Sequence, residues 1–577
     1  MKKLLPYLKP YRKECIISPL FKLLEACFDL LVPFVVKDMI DVGIANSDKP
    51  HIWIGCVLLI GLALVGLACS FTAQYFAAKA AVGFSSDLRA ALFAHIQAYT
   101  YDQTDRVGTS TLITRLTSDV NQIQSGLNLT LRLLLRSPII VFGAMIMAFL
   151  VDPHSAWVFV VVIPLLAVIV FTIMLASVPL YKKVQQNLDR VTSTTRENLN
   201  GVRVIRAFRK EAEENERFEN ANASHNRIQN LVGKISALMN PLTLLVVNGG
   251  LIVLLLTGAI RVDNGKITTG AVFALTNYLS QILVELVKFA NTIISLNKAL
   301  ACASRVETIL DTPTGMRVTE STSAPVCDPD CAVLLDHVSL TYAGNAEATL
   351  TDINLKIHRG ETVGLIGSTG SGKSSLVHLI SRFYDATEGN VFVNGKNVRE
   401  IAPEVLREKI GVVPQKATLF AGTVRSNLLW GNPNATDEEL WEALELAQAK
   451  EIILKKDGGL DAPVDAGGRN FSGGQRQRLT IARALVRKPE ILILDDSSSA
   501  LDYATDAALR QSLRQLPYHP TILTVSQRTA TIRHADQILV LEDGEAVGCG
   551  THTELLETCS VYREIHDSQF RRGGEGA

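Results

Sequence analysis

The sequence predicts a polytopic α-helical membrane domain with six transmembrane helices, followed by an α/β P-loop domain. Three observations carry this: long uncharged apolar runs confined to the first half, a polar stretch after Asp311, and a Gly-x-x-x-x-Gly-Lys-Ser run between an apolar strand and a helix in the second half. The domains expected are 1–310, a linker over 311–332, and 333–577. The chain has 577 residues, with Lys+Arg 57 and Asp+Glu 57. A formal charge of zero offers no basic excess for nucleic acid and no acidic tail. Only 20% of residues are charged and mean hydropathy is +0.21, whereas soluble proteins average about 25% charged. The split between halves excludes both a purely soluble enzyme and a purely embedded protein.

A spanning helix needs about 20 mostly apolar residues. Ile52 to Tyr75, Ser137 to Val151 with Leu133–Leu135 extending its start, Trp157 to Leu180, Ile235 to Ile260, and Ile267 to Leu296 supply five. Cys15 to Ile40 is less clean, because it holds Lys22, Glu25, Asp29 and Lys37. Parity decides it. Lys2, Lys3, Lys9, Arg12 and Lys13 set the N-terminus in the cytosol by the positive-inside rule, and the phosphate-binding half must also be cytosolic. Six crossings follow. Lys22, Glu25 and Asp29 share one helix face. At membrane depth they must face a protein interior or a water-filled cavity, either as an ion pair that sets packing or as substrate contacts.

The loops expected outside are short: Asp41–His51, Asp152–His154 and Arg261–Lys266. Those expected inside, Ala80 to Arg136 and Tyr181 to Lys234, mix both charge signs as long solvated helices do. No cleavable leader is expected, because Pro10, Arg12, Lys13 and Glu14 interrupt any apolar stretch. Four of the nine cysteines fall in or beside apolar runs and act as small hydrophobes. Cys327 and Cys331 bracket Asp-Pro-Asp without a second ligand pair. A reduced thiol pair in the linker fits them better than a metal site.

The linker, Asp311 to Ala332, is rich in Pro, Thr, Ser and Asp. Beyond it, strand-like runs at Ala332–Leu335, Thr362–Ile366, Ile491–Leu494 and Thr521–Val525 alternate with helical patterns, which argues an α/β core. Gly367, Ser368, Thr369, Gly370, Ser371, Gly372, Lys373 and Ser374 form a P-loop after the second of these strands, and the helix Ser375–Ile380 follows. Such a loop turns its backbone N–H groups toward phosphate oxygens at a helix N-terminus. Lys373 is expected on the β- and γ-phosphates, and the Ser374 hydroxyl on Mg²⁺. Asp495, at the tip of an apolar strand, is expected to hold the same ion, and the adjoining Asp496 to polarise the attacking water. Ser472, Gly473 and Gly474 open another helix with bare amides about twenty residues before Asp495, a second phosphate-binding feature.

Taken together, these motifs resemble the ABC transporters, specifically exporters with six helices fused to one α/β P-loop ATPase domain, over essentially the whole chain. Phe471, Ser472, Gly473, Gly474 and Gln475 are similar to the LSGGQ signature with Phe for Leu. The resemblance implies ATP and Mg²⁺ as ligands. It implies adenine stacking on Tyr342, and a place for Ser375 in the nucleotide site. Gln415, after Val412-Val413-Pro414, would touch Mg²⁺ and the membrane domain. Ser499–Asp502 resembles the D-loop, Leu4–Arg12 the amphipathic elbow helix, and Tyr101–Gly108 and Asn198–Val204 the two coupling helices. The implied setting is a bacterial cytoplasmic membrane with the N-terminus and ATPase domain cytosolic. The implied partners are the lipid bilayer, a second half-transporter and a small-molecule substrate, with no nucleic acid.

Three departures from the family pattern bear on mechanism. Asp496 stands where the pattern has Glu, Gln527 where it has a switch His, and Ala466 where Glu is common. Asp is one methylene shorter, and a misplacement near 1 Å can cost on the order of 10²-fold in rate. Gln527 can hydrogen-bond a phosphate but cannot carry a titrating proton. The resemblance then implies the degenerate subunit of a heterodimer: ATP bound, slow hydrolysis at its own P-loop, and a signature that completes the partner's active site. Export of drug-like or amphipathic molecules is expected. Asn248, Asn277, Gln281, Glu285 and Asn291 are candidate cavity residues, or equally polar contacts between helices. Peptide, lipid or thiol export is the rival within transport, although no peptidase domain is expected before the first helix. An ATP-switched channel or regulator is the rival outside it.

Overall fold

In lipid, a backbone must satisfy its own hydrogen bonds, and a helix does so within one segment. The computed structural model describes residues 4–316, 318 and 330–570. Lys2, Lys3, most of the expected linker and Cys327 lie outside the described residues. The chain forms two units, 1–97 with 110–313 and 98–109 with 314–577.

The first unit is helical: α1 (Arg12–Asp38), α2 (Lys49–Gln97), α3 (Val120–Leu133), α4 (Arg136–Val151), α5 (Trp157–Ala207), α6 (Glu211–Ala237), α7 (Met239–Asp263) and α8 (Thr269–Asp311). Among the described residues, five helical stretches are long and apolar enough to cross a membrane; they contain α2, α4, α5, α7 and α8. The charged α1 is not among them, yet it is an unbroken helix of 27 residues, about 40 Å long. The 49 residues of α2 reach roughly 73 Å, far beyond the ~30 Å hydrocarbon layer. The expected inside loops are therefore mostly continuations of spanning helices. Asn198–Val204 is not a separate helix but the end of α5, which stops at Ala207; Arg209 beyond it has φ +56°.

Only 11% of the most apolar stretch of α2 is buried within the chain, and Trp53 and Phe71 point outward. An apolar outer face of this extent fits lipid as solvent. The inner face of α2 instead uses Ala73, Ala77, Ala80 and Ala81, all fully buried. Small residues let helix backbones approach closely where lipid removes the hydrophobic drive. Gly126 on α3 is one such contact, since a Cβ there would stand 2.3 Å from that of Ala299 on α8.

The second unit carries twelve strands among its described residues: β1 (Cys331–Leu340), β2 (Leu350–His358), β3 (Thr362–Gly367), β4 (Glu388–Val393), β5 (Lys396–Asn397), β6 (Ile410–Val413), β7 (Gly422–Thr423), β8 (Pro463–Val464), β9 (Ile491–Asp495), β10 (Thr521–Val525), β11 (Gln537–Glu542) and β12 (Glu545–Gly550). One sheet has the order β2-β1-β4-β5, and a six-stranded sheet has β12-β11-β3-β10-β9-β6. In the larger sheet all pairs but β11–β12 are parallel. The register sets Val525 beside both Leu365 and Asp495. The C-terminal ends of β3, β10 and β9 therefore lie side by side, where open α/β sheets bind ligands. Further helices are α9 (Lys373–Ile380), α10 (Gly473–Leu485), α11 (Tyr503–Arg514) and α12 (Ser560–Phe570).

Candidate nucleotide site

At the ends of those three strands, a cavity of about 340 Å³ is lined by Thr349, Thr369, Gly370, Gly372, Lys373, Ser374, Ser375, Gln415, Asp495, Asp496, Val525 and Gln527. The P-loop joins β3 to α9. Gly370 and Gly372 have φ +89° and +92°, which residues with a Cβ adopt only at a cost. The Lys373 ammonium donates to the carbonyls of Gly367 (2.9 Å) and Ser368 (2.5 Å) and to Ser371 Oγ (3.2 Å). Burial holds its pKa below the usual lysine value. The Ser374 hydroxyl donates to Asp495 Oδ1 at 3.0 Å, and burial pushes the Asp495 carboxyl up.

Among the described residues, no group of three or more His, Cys, Asp or Glu could hold a metal. A hydroxyl beside a single carboxylate nevertheless suits Mg²⁺, which takes one or two protein oxygens and completes its shell with water and substrate phosphates.

Asp496 leaves the sheet with φ +44°, its N–H bonded to the Val525 carbonyl at 3.1 Å. Its Oδ2 accepts from the Gln415 amide at 3.1 Å. This contact joins two residues 81 apart in sequence, and no motif signals it. Gln527 is exposed at the rim. Its loop is fastened by Gln569 on α12, whose amide nitrogen donates to the Gln527 carbonyl (2.7 Å) while its oxygen accepts from Thr529 N (2.9 Å). Sequence reasoning missed Gln569, because no motif marks it.

Tyr342 stands outside the cavity lining. Its hydroxyl donates to Ser375 Oγ at 2.9 Å, and its ring meets Tyr384 edge-on at 4.9 Å. Tyr384 in turn donates to Asp105 of the short helix Tyr101–Val107, and Tyr101 packs on Phe383 at 4.6 Å. Burial and Asp105 hold the Tyr384 hydroxyl's pKa well up.

The signature segment opens α10 away from this cavity. Ser472 and Gln475 cap one another, Ser472 N–H donating to Gln475 Oε1 (3.0 Å) and Gln475 N–H to Ser472 Oγ (3.3 Å). Phe471 is buried beneath, with Lys456 over its ring at 4.3 Å. Of the first helical amides, those of Gly473 and Gly474 stay outside this reciprocal pair, which refines the expectation of a wholly bare start. A Cβ at Gly473 would meet nothing within 4 Å, whereas one at Gly474 would stand 2.9 Å from the Ala500 carbonyl.

In the first unit, Lys22 pairs with Glu25 at 2.6 Å, while Asp29 pairs with Arg136. Asn277, Gln281 and Glu285 line one cavity with Asp29; Asn248 and Asn291 do not.

A fused pair of membrane and P-loop units with these motifs defines an ATP-driven membrane transporter, and comparison with known proteins agrees. Residues 15–286 match the ABC transporter transmembrane region, and residues 350–499 the ABC transporter domain. Relatives include an uncharacterized ABC transporter ATP-binding protein of Mycobacterium tuberculosis, 38% identical over 98% of this chain and 97% of the relative. One of the same description from Bacillus subtilis is 35% identical over 100% and 99%. An ATP-dependent lipid A-core flippase of Escherichia coli K12 is 30% identical over 99% and 97%. The chain belongs to the ABC transporter family, as an exporter-type half-transporter. It is a multi-pass membrane protein that binds ATP and couples its hydrolysis to transport.

Proposed function

We propose that this chain is the degenerate half of a heterodimeric exporter that moves drug-like or amphipathic molecules out of the bacterial cytoplasm. Six helices cross the inner membrane, α1 included, with the N-terminus and ATPase domain cytosolic. The observation that carries the reading is the lining of the 340 Å³ cavity, where a complete P-loop faces Asp496 and Gln527 instead of Glu and His. Lys373 exchanges its loop carbonyls for phosphate oxygens. Ser374 and Asp495, with Gln415, would hold Mg²⁺, which when bound neutralises phosphate charge. Asp496 is tied to the Gln415 amide, so its short carboxylate reaches the attacking water poorly. Tyr342 stacks on adenine and Ser375 lies beside the phosphates. Across the dimer, the Gly473 and Gly474 amides of the Phe471–Gln475 signature approach the γ-phosphate bound by the partner. Lipid export is the second reading, favoured by the name of the Escherichia coli relative.

Photolabelling with an azido-ATP analogue tests the nucleotide site. Lys373→Ala removes a charge-assisted hydrogen bond and should weaken MgATP binding roughly tenfold or more. Equal labelling of wild type and variant would overturn the site.

A further inference from the structure

We propose that the polar cavity lined by α1, α4 and α8 receives the head of an amphiphile carrying both a cationic and an anionic group. The inference rests on the exporter reading above and adds its substrate class. The cavity, about 400 Å³, is lined by Asp29, Arg136, Gln281, Glu285 and Lys288, with Val32, Ile140 and Val284 as apolar wall. Its charged groups form a chain of pairs. Arg136 donates to Asp29 at 2.9 Å and to Glu285 at 2.6 Å, and Lys288 donates to Glu285 at 2.9 Å. Ser137 donates to the other Glu285 oxygen at 2.9 Å.

Two carboxylates and two cations cancel, so the lining has no net charge to draw in an ion of either sign. The neighbouring Lys22–Glu25 pair, with Glu25 4.0 Å from Arg136, also sums to zero. Accessibility, however, is uneven along the chain. Arg136 and Glu285 in its middle are 11% and 5% exposed, while Asp29 and Lys288 at its two ends are 43% and 46% exposed. The cavity thus offers an anion at one end and a cation at the other, each with one ion-pair partner among the described residues.

Two buried atoms, the donor Arg136 Nε and the acceptor Gln281 Oε1, also have no hydrogen-bond partner among the described residues, and such atoms are costly to leave unpaired. A lone anion would meet Asp29 and Glu285, and a lone cation Arg136 and Lys288. A head with both charges takes Asp29 and Lys288 together, and the Val32, Ile140 and Val284 wall suits an attached tail. Charged groups within spanning helices are commonly part of substrate pathways.

The test uses the full chain in nanodiscs, with empty nanodiscs subtracted, and three probes sharing one dodecyl tail: a phosphocholine, a monophosphate and a trimethylammonium. Wild type should bind the phosphocholine about tenfold more tightly than either singly charged probe. Lys288→Gln should move the preference toward the cation, and Asp29→Asn toward the anion. Misfolding would lower all three affinities together and cannot produce opposite shifts. Tail-free glycerophosphocholine separates a soluble zwitterion from an amphiphile, and binding as tight without the tail would overturn the amphiphile. Equal affinity for the three probes, parallel changes in the two variants, or no binding above empty nanodiscs would each overturn the proposal. MgATP photolabelling of the same samples keeps the readings apart: failed labelling overturns the nucleotide site on which the proposed function rests, whereas intact labelling without head selectivity removes only the zwitterionic substrate.

Discussion

Asp496 sits at φ +44°, a region where Asp and Asn are several-fold enriched over other residues with a Cβ. A Glu there should reach further toward the water but fit the backbone less well. Asp496→Glu together with Gln527→His is therefore expected to raise hydrolysis at this chain's own P-loop, by up to about 10²-fold. The thermal midpoint should fall slightly, by the equivalent of roughly 1 kcal/mol. Nucleotide trapping at each site of the assembled transporter checks the first effect, and equal turnover of both sites in wild type would remove its premise. At this scale the P-loop is legible in sequence because its spacing is contiguous. The Gln415–Asp496 and Gln569–Gln527 bonds are not, because they join residues 81 and 42 apart and follow from how the sheet and α12 pack.

Among the elements, the short helix Tyr101–Val107 shows what a local pattern can and cannot tell. Thr100 and Gln103 form its capping box, a signal readable in sequence. That the helix belongs with residues 314–577 depends on aromatic contacts no periodicity encodes. Only the family resemblance makes Asn198–Val204 its counterpart, and the unbroken helical pattern of α5 runs through it. The expected strands begin within a residue of those observed, because alternating or continuous apolar runs fix them. Asp105, Tyr384, Tyr342 and Ser375 link this helix to the start of α9. Tyr384→Phe keeps the ring and removes the bond to a carboxylate, a loss of about 1.5–3 kcal/mol at most. Amide exchange over 101–107 should quicken by roughly tenfold, while MgATP photolabelling stays within twofold. Unchanged exchange would show that Tyr384 does not hold this helix.

At the scale of the whole transporter, the proposed heterodimer requires that this chain's own P-loop site and its signature serve different ATP molecules. If they do, damage to each should have unequal consequences. Gly473 offers a cleaner probe of the signature than Gly474. A side chain at Gly474 presses on the Ala500 carbonyl of its own chain, whereas at Gly473 it meets nothing within 4 Å. Gly473→Asp should leave this chain's fold intact and still set a carboxylate against the partner's γ-phosphate, where like charge is strongly unfavourable in a water-poor site. ATPase of the assembled pair in nanodiscs should then fall by at least about 10²-fold. On the degenerate-site proposal, Asp496→Asn touches only this chain's own P-loop site and should lower it less than twofold. A homodimer would have one kind of site, so both changes would be severe. The chain should be measured alone and with a second half-transporter that carries Glu and His at these two positions. Robust ATPase from this chain alone, abolished equally by Gly473→Asp and Asp496→Asn, would make Asp496 a competent catalytic carboxylate and exclude the heterodimer.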